Sequence, residues 1–405
     1  MAGKWVLVIG AGYWQVPLIE TVQRLGYHAV AIDMDPDAVG GKVADHFEPV
    51  NITDSDAAIE LGRRMKIIGA VSDQTDLAVP ALAEICTSLG LPGPSYETAL
   101  NTTNKARMRN LAKGTGLRNP KYRVCADSQT AVSAIDEDHP DAPGGVGLPC
   151  VVKPTDSQAS RGVQKIVDRN ELEDAVSEAF RYTREGKVLV EGFVQGTEVT
   201  VEGCRYAGST HLLGISTKRH TPPPHILAMN LEFPAQLPDE TLREIESCYM
   251  NLVDSLGISA GSIHGEFIVG SDGIYLVEMA NRGGGSGTSS HLIPAISGVD
   301  LLEANVHYAT GNERAVERTR NRASVMRFLL FDPGVVEEIN GYDEACALPG
   351  VVHFVMYIKP GDTLVPAVMD TQRHGCLITV ADTIGEAREI ADSAEKLTGI
   401  GYKAV

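Results

Sequence analysis

The chain has 405 residues, 43% hydrophobic and 22% charged, a balance that suits two or three globular domains with cores of their own. A formal charge of −18 repels nucleic acid and anionic membrane alike, so neither is expected as a partner, and an anionic ligand must be held by a local cluster of Lys, Arg and backbone N–H groups. No apolar run reaches the ~20 residues of a membrane helix, and the seven cysteines stand without CxxC pairs, which argues against a disulfide framework or a zinc site. With only a strand-length apolar core in MAGKWVLVIG, a cytoplasmic protein with reduced, mostly buried thiols is expected.

Residues 4–9 form an apolar strand that runs into Gly10-Ala11-Gly12, followed by an amphipathic segment over 17–25 and a second strand over 28–33. This is a βαβ opening. Gly10, Gly12 and Asp33 imitate a dinucleotide fingerprint, but Gln15 occupies the place of its third glycine. The favoured reading is a tight first turn in a generic domain. Segments 59–65, 67–71 and 77–89 continue the alternation, so residues 1–95 read as a Rossmann-like parallel α/β domain. Linker helices follow over 96–122, the second of them basic, with Lys105, Arg107, Arg109 and Lys113.

The Pro/Gly/Asp-rich stretch 136–149 is a surface loop that leads into a strand over 150–153. Lys153 ends that strand and opens the polar loop 155–162, which carries Ser160, Arg161 and Gly162. Small hydroxyls and backbone N–H groups, backed by two cations, suit phosphate oxygens. A helix over 170–183 and a strand over 187–191 come next. The passage Glu191-Gly192-Phe193-Val194 offers backbone to a flat base edge, and Glu198 offers a carboxylate to sugar hydroxyls.

Residues 262–287 hold the most specific pattern. Strands over 263–269 and 274–280 flank Gly270-Ser271-Asp272-Gly273, which is turn chemistry, so this is a β-hairpin. If Val269 faces Tyr275, Glu266 faces Glu278. Two carboxylates ~5 Å apart repel each other unless a proton or a cation joins them. A cation is the expectation, and Asn281 adds a hard oxygen ligand suited to Mg²⁺, with Mn²⁺ as a substitute. Arg282 follows, then Gly283, Gly284 and Gly285, placing a guanidinium beside flexible backbone where it can clamp phosphate or carboxylate.

In order and spacing these pieces resemble the ATP-grasp superfamily over nearly the whole chain, and within it the carboxylate-amine ligases, especially bacterial L-amino acid ligases that make dipeptides. The resemblance implies an ATP-grasp fold of mixed α/β and α+β class: an N-terminal domain, a lid subdomain over 123–194, a catalytic subdomain over 195–312 and a small α+β cap over 313–405. It implies that Glu266, Glu278 and Asn281 hold Mg²⁺ and that Lys105, Lys153, Ser160, Arg161 and Gly162 contact ATP phosphates. Glu191, Phe193 and Val194 would form the adenine hinge, with Glu198 at the ribose. Lys153 and Arg282 would be catalytic, and Lys218, Arg219, Arg282 and Gly284 would meet substrate, near the loop 220–225.

The implied reaction runs through an acyl phosphate to an amide, joining a small-molecule carboxylate and amine, and a homodimer is a further expectation. His264 and His291 are candidate bases for the amine, although a lone histidine on an apolar strand is more often a satisfied core residue. Strands over 324–330, 350–358 and 376–381 and a helix over 383–398 make the cap, approached by Arg314, Arg318, Arg320 and Arg322 on a solvated linker helix. Competing classes are a nicotinamide-dependent oxidoreductase, an enzyme using bicarbonate or formate, and a non-catalytic ATP-binding module.

Overall fold

The computed structural model describes residues 4–222 and 226–403. Residues 223–225 of the predicted acceptor-side loop lie outside this range. The first domain is a parallel sheet of β1 (Trp5–Ile9), β2 (His28–Ile32), β3 (His46–Glu48) and β4 (Ile67–Val71), in the order β3-β2-β1-β4. Helices cover both faces, and so β1 is apolar without alternation. Val6 and Val8 pack toward helix Val16–Arg24, whereas Leu7 and Ile9 pack toward helices Ser55–Met65 and Ala78–Leu89.

The glycine turn after β1 is closed by its own residues. Gly10 adopts φ +104°, and its neighbour Gln15 fills the space a side chain there would need. Asp33 accepts from the Ala11 N–H at 3.0 Å, and Gln15 donates to the Asp73 carbonyl at 2.9 Å. The residues that imitate a dinucleotide site are thus consumed within the domain, and the favoured reading of a structural turn agrees with the geometry.

The lid sheet contains β5 (Tyr122–Cys125), β6 (Cys150–Pro154), β7 (Gln164–Ile166) and β8 (Val188–Gly192), in the order β5-β8-β6-β7. Helices Ser128–Ser133 and Leu172–Tyr182 cover one face through Ala131, Leu172, Ala175, Val176 and Ala179. The larger sheet runs over β9 (Gly196–Tyr206), β10 (Ser209–His220), β11 (Ala228–Phe233), β12 (Gly261–Gly270), β13 (Gly273–Ala280), β14 (Ala323–Leu329) and two later strands. Of the C-terminal strands β15 (Gly334–Asn340), β16 (Val351–Met356), β17 (Thr363–Leu364), β18 (Gly375–Ala381) and β19 (Gly399–Tyr402), β16 and β18 join that sheet, giving β13-β12-β9-β10-β11-β14-β18-β16. The remaining three form a small sheet of their own, β17-β15-β19.

The expected C-terminal cap is continuous with the large sheet, because β11 and β14 pair antiparallel from Phe233↔Ser324 to Asn230↔Arg327. Two expectations are corrected by the contacts. Helix Leu301–Ala309, expected with the catalytic subdomain, buries Leu302, Val306 and Ala309 against the N-terminal sheet. Gly69 permits that approach, since a Cβ there would meet the Ala309 carbonyl at 2.7 Å. Finally, residues 312–322 with their arginines are extended and exposed, and no helix forms there. Thr319 and Arg320 donate backbone N–H groups to the Ser297 carbonyl, so the segment is strapped to helix Ile293–Ser297.

All seven cysteines are free and all but Cys346 are buried, in agreement with the expected thiols. Among the described residues no helix is long and apolar enough to cross a membrane.

Candidate active site

A cavity of about 560 Å³ opens between the lid sheet and the face of the large sheet, and the loop after β4 and residues 370–373 close its other sides. Its floor is the hairpin β12–β13. The turn is tighter than expected, with Gly270 opposite Gly273 and Val269 opposite Ile274 rather than Tyr275. An irregularity between Glu266 and Phe267 takes up the difference at Val277, and Glu266 does face Glu278. A bulge that re-aims a side chain beside a site is a familiar device. Without it, Glu278 would fall out of register with Glu266 and onto the other face.

The two carboxylates are held by lysines. Lys105 reaches Glu278 at 2.7 Å and the Ser157 carbonyl at 2.7 Å, while Lys218 bridges Glu266 at 2.5 Å and Glu198 at 2.8 Å. Burial disfavours both ammonium groups, yet the carboxylates outweigh it and hold them above the ordinary lysine range. Glu266 is likewise penalised by burial, but Lys218 and His264 keep it well below the usual carboxylate value. Lys218 was expected to meet substrate. Its bonds place it between the ribose candidate Glu198 and the metal candidate Glu266. Arg219, the next residue on β10, alternates to the other face and is exposed, so a substrate contact from it finds no support.

Lys153 is anchored by Glu191, which also takes a bidentate bond from the fully buried Arg109. Burial would raise the Glu191 carboxyl, but Arg109 and Lys153 outweigh it and lower it, whereas Lys153 is pushed down mainly by burial. The Glu191 side chain is therefore a brace for two cations. Of the expected hinge, Phe193 and Val194 line the cavity beside Tyr275 and Leu276, and the Phe193 N–H already donates to the Pro149 carbonyl at 3.0 Å.

The loop after β6 folds over the cavity. Gln158 accepts from the Asp76 N–H at 2.7 Å, and Ser160 donates to Asp370 at 3.3 Å, so its tip touches both the N-terminal domain and the C-terminal strand region. Ala159 and Ser160 both carry φ +58°, an uncommon conformation for residues with a side chain. Ser160 and Arg161 line the cavity. Gly162 does not: at φ +70° it packs where a Cβ would meet Tyr182 at 3.0 Å, so it shapes the loop without facing a ligand.

Arg282 is nine-tenths buried and donates through Nε to Asp76 at 2.5 Å and through Nη1 to the Gly283 carbonyl at 2.9 Å. Behind it the fully buried Asp73 accepts from the Gly283 N–H at 3.1 Å and from Ser289 at 2.5 Å. These two aspartates were missed by sequence reasoning, although both sit just past the C-terminal end of a parallel strand, where α/β sheets place ligand sites. Gly284 was expected to meet substrate, but it is buried, and a Cβ there would run into Glu202 and Thr288. Gly285 and Ser286 line the cavity in its place.

His264 binds Glu202 at 2.5 Å and lies 3.4 Å from Glu266. Burial lowers its affinity for a proton, but Glu202 overrides this and lifts it to about 9, so it is an imidazolium near neutrality and a poor base. His291 stacks on His353 with centroids 4.2 Å apart and does not reach the cavity. Neither candidate base is placed to take a proton from an amine.

The donor set fits Mg²⁺ bound together with nucleotide. Asn281, expected as a third ligand, does not line the cavity, and its amide N–H groups donate to the Ala260 and Ser262 carbonyls, both at 3.1 Å. Among the described residues no three His, Cys, Asp or Glu side chains cluster as a self-sufficient metal cage. Two carboxylates completed by substrate phosphates is the pattern Mg²⁺ commonly takes.

Fold and site together define an ATP-grasp enzyme. Residues 146–290 match the model of the ATP-grasp domain, and residues 327–403 match L-amino acid ligase C-terminal domain 2. An uncharacterized protein of Sinorhizobium fredii, y4rH, is 29% identical over 93% of this chain and 78% of its own length. A formate-dependent phosphoribosylglycinamide formyltransferase from Synechococcus sp. is 30% identical, covering 68% of this chain and 69% of that protein. Among solved structures, the L-amino acid ligase of Bacillus licheniformis superposes with a TM-score of 0.84 at 23% identity, covering both chains completely. The chain belongs to the ATP-grasp superfamily, in its carboxylate-amine ligase branch. Its class of enzyme is thus an ATP-grasp ligase that forms carbon–nitrogen bonds.

Proposed function

We propose that this chain activates a small carboxylate with ATP to an acyl phosphate and passes the acyl group to an amine, joining amino acids or related metabolites in the cytoplasm and releasing ADP and phosphate. One observation carries the reading. A single cavity presents the facing pair Glu266 and Glu278 together with Lys105, Lys153, Lys218 and Arg282, the charge set that phosphoryl transfer needs when positioning and neutralisation do the catalysis.

In this reading Glu266 and Glu278 hold Mg²⁺, which when bound neutralises phosphate charge. Phe193, Val194, Tyr275 and Leu276 take the adenine as an apolar slot, and Val194 offers the free hinge backbone because the Phe193 N–H is already used. Glu198 accepts the ribose hydroxyls. Lys105 and Lys153 turn toward the phosphates, and the loop bearing Ser160 and Arg161 excludes water above them. Arg282, tethered to Asp76, faces the acyl phosphate as charge develops. No protein nucleophile is required, and the amine arrives already neutral.

The test is phosphate release from Mg·ATP screened over pairs of amino acids, with the product identified by mass. Release that needs both partners and yields an amide is the expected result. A second reading has formate, which the name of the Synechococcus relative carries, or bicarbonate in place of the amino-acid carboxylate. Release dependent on either of those, and indifferent to amino acids, would select it.

A further inference from the structure

Glu202 is a carboxylate that neither the nucleotide nor the substrate reading employs. It stands on β9, is fully buried and does not line the cavity. Its Oε1 meets Nδ1 of His264 at 2.5 Å, and its Oε2 has no partner among the described residues. The two residues face each other across the β9–β12 ladder, where opposite side chains sit ~5 Å apart. A buried ion pair adds little net stability over apolar residues of the same volume. What this one supplies is orientation, because the His264 ring is pinned on its Nδ1 side.

His264 carries that orientation to the metal candidate two residues on. Positions 264 and 266 share one face of β12, and Nε2 of the ring lies 3.4 Å from Oε1 of Glu266. Thr200 stands directly opposite Glu266 but does not hold it, since its buried hydroxyl has no partner among the described residues. Lys218 takes the same Oε1 at 2.5 Å and is shared with Glu198, the ribose candidate, so its hold answers to the nucleotide. The hold from His264 does not, because Glu202 lies outside the cavity. Both contacts fall on Oε1, and among the described residues none reaches Oε2, which leaves that oxygen of Glu266 free to ligate.

We infer that Glu202 and His264 are a positioning pair for Glu266: Glu202 fixes the ring, and the ring with Lys218 holds Oε1, so that Oε2 is presented to Mg²⁺ beside Glu278. This rests on the ligase reading above and adds two residues that act through Glu266. Gly284 belongs to the arrangement, because a Cβ at that position would collide with Oε1 of Glu202. The pair therefore also abuts the backbone that follows Arg282.

The experiment is calorimetric binding of a non-hydrolysable ATP analogue to the full chain across Mg²⁺ concentrations, read as the Mg²⁺ concentration that gives half of full binding. His264→Asn keeps a partner for Glu202 but is too short to reach Glu266. It should raise that midpoint by roughly 10- to 100-fold, the range for outer partners of metal ligands. Glu202→Gln still accepts from Nδ1 of the ring and should stay close to wild type. If His264→Asn does not fold, the double variant Glu202→Leu with His264→Phe carries the test with the same rise expected, since it leaves neither charge unpaired. Excess Mg²⁺ should restore wild-type analogue affinity in either variant, whereas a merely structural role would lower affinity at every Mg²⁺ concentration together with the melting temperature. The inference is overturned if the midpoint does not move, if Glu202→Gln raises it as far as His264→Asn, or if excess Mg²⁺ fails to restore affinity. Phosphate release and Mg²⁺-dependent analogue binding by wild type separate the two readings. Both present with an unmoved midpoint leaves the ligase standing and removes this inference, whereas a wild type showing neither removes the ligase reading and this inference with it.

Discussion

Arg282 shows how one side chain serves two domains. Its Nε bond to Asp76 and its Nη1 bond to the Gly283 carbonyl use two directions of a planar fork that an ammonium cannot reproduce. Arg282→Lys is expected to leave ATP affinity near normal and to cut amide formation by on the order of 10²-fold, the cost of one donor aimed at developing charge. Turnover, ATP affinity and melting temperature measured on that variant decide it. Near-normal turnover with a lowered melting temperature would make Arg282 an interdomain brace. A second residue sets a pH dependence. Burial and the neighbouring His291 depress His353 to about 4 from an ordinary 6.5, so it folds neutral. A depressed folded value means that the unfolded chain binds the extra proton, so the contribution is intact above pH 6.5 and is lost as pH falls toward 4. The loss approaches ~1.4 kcal/mol per pH unit in that window. His353→Phe keeps a ring for His291 to stack on and should flatten that part of the stability curve, as urea midpoints between pH 7 and 4 will show.

Among elements, the hairpin was the most legible from sequence, because turn residues and β-rich runs are local signals. Its facing glutamates were read correctly from a register that was wrong by one residue near the turn, and the bulge at Val277 compensated. No local signal marks that bulge, and the pairing of β12 with β9 on its far side runs through Glu266 and Phe267 without a shift. The glycine run after the hairpin divides in the same way. Its flexibility was evident, but which glycine faces ligand depends on what packs behind each one. Gly284 lies against Glu202, itself fully buried and fixed by His264, so Gly284→Ala cannot be accommodated by a swinging side chain. A destabilisation of ~1 to 3 kcal/mol is expected, read as a lowered melting temperature, with the same change at Gly285, where nothing lies within contact range, close to neutral. Equal effects at both positions would contradict this account. The linker arginines illustrate the opposite error. Charge spacing over 314–322 allowed a helix, whereas backbone bonds to Ser297 and Ile296 hold it extended.

At the scale of the molecule, ligand and fold are linked by mass action. In the proposed reading Mg·ATP would bridge the lid, the hairpin and the helix bearing Lys105, and at about 100-fold over its dissociation constant it should stabilise the chain by ~2.7 kcal/mol. A thermal melt with both Mg²⁺ and a non-hydrolysable analogue should rise above melts with either alone, and coincident curves would move the nucleotide site elsewhere. The sequence by itself determined the order of elements, the glycine turn after β1, the paired glutamates and the family they mark, because periodicity, turn chemistry and motif spacing are properties of short stretches. Only the tertiary structure decided that β14 and β18 extend the catalytic sheet, that helix Leu301–Ala309 belongs to the N-terminal core, that Asp76 and Asp73 bond Arg282 and Gly283, and that Arg373 lines one cavity with Arg282. Those residues lie 206 or more positions apart from Arg282 or beyond it in the chain, and no local pattern encodes their meeting. What brings them together is burial of apolar faces between domains, after which each buried charge must find a partner or wait for a ligand to supply one.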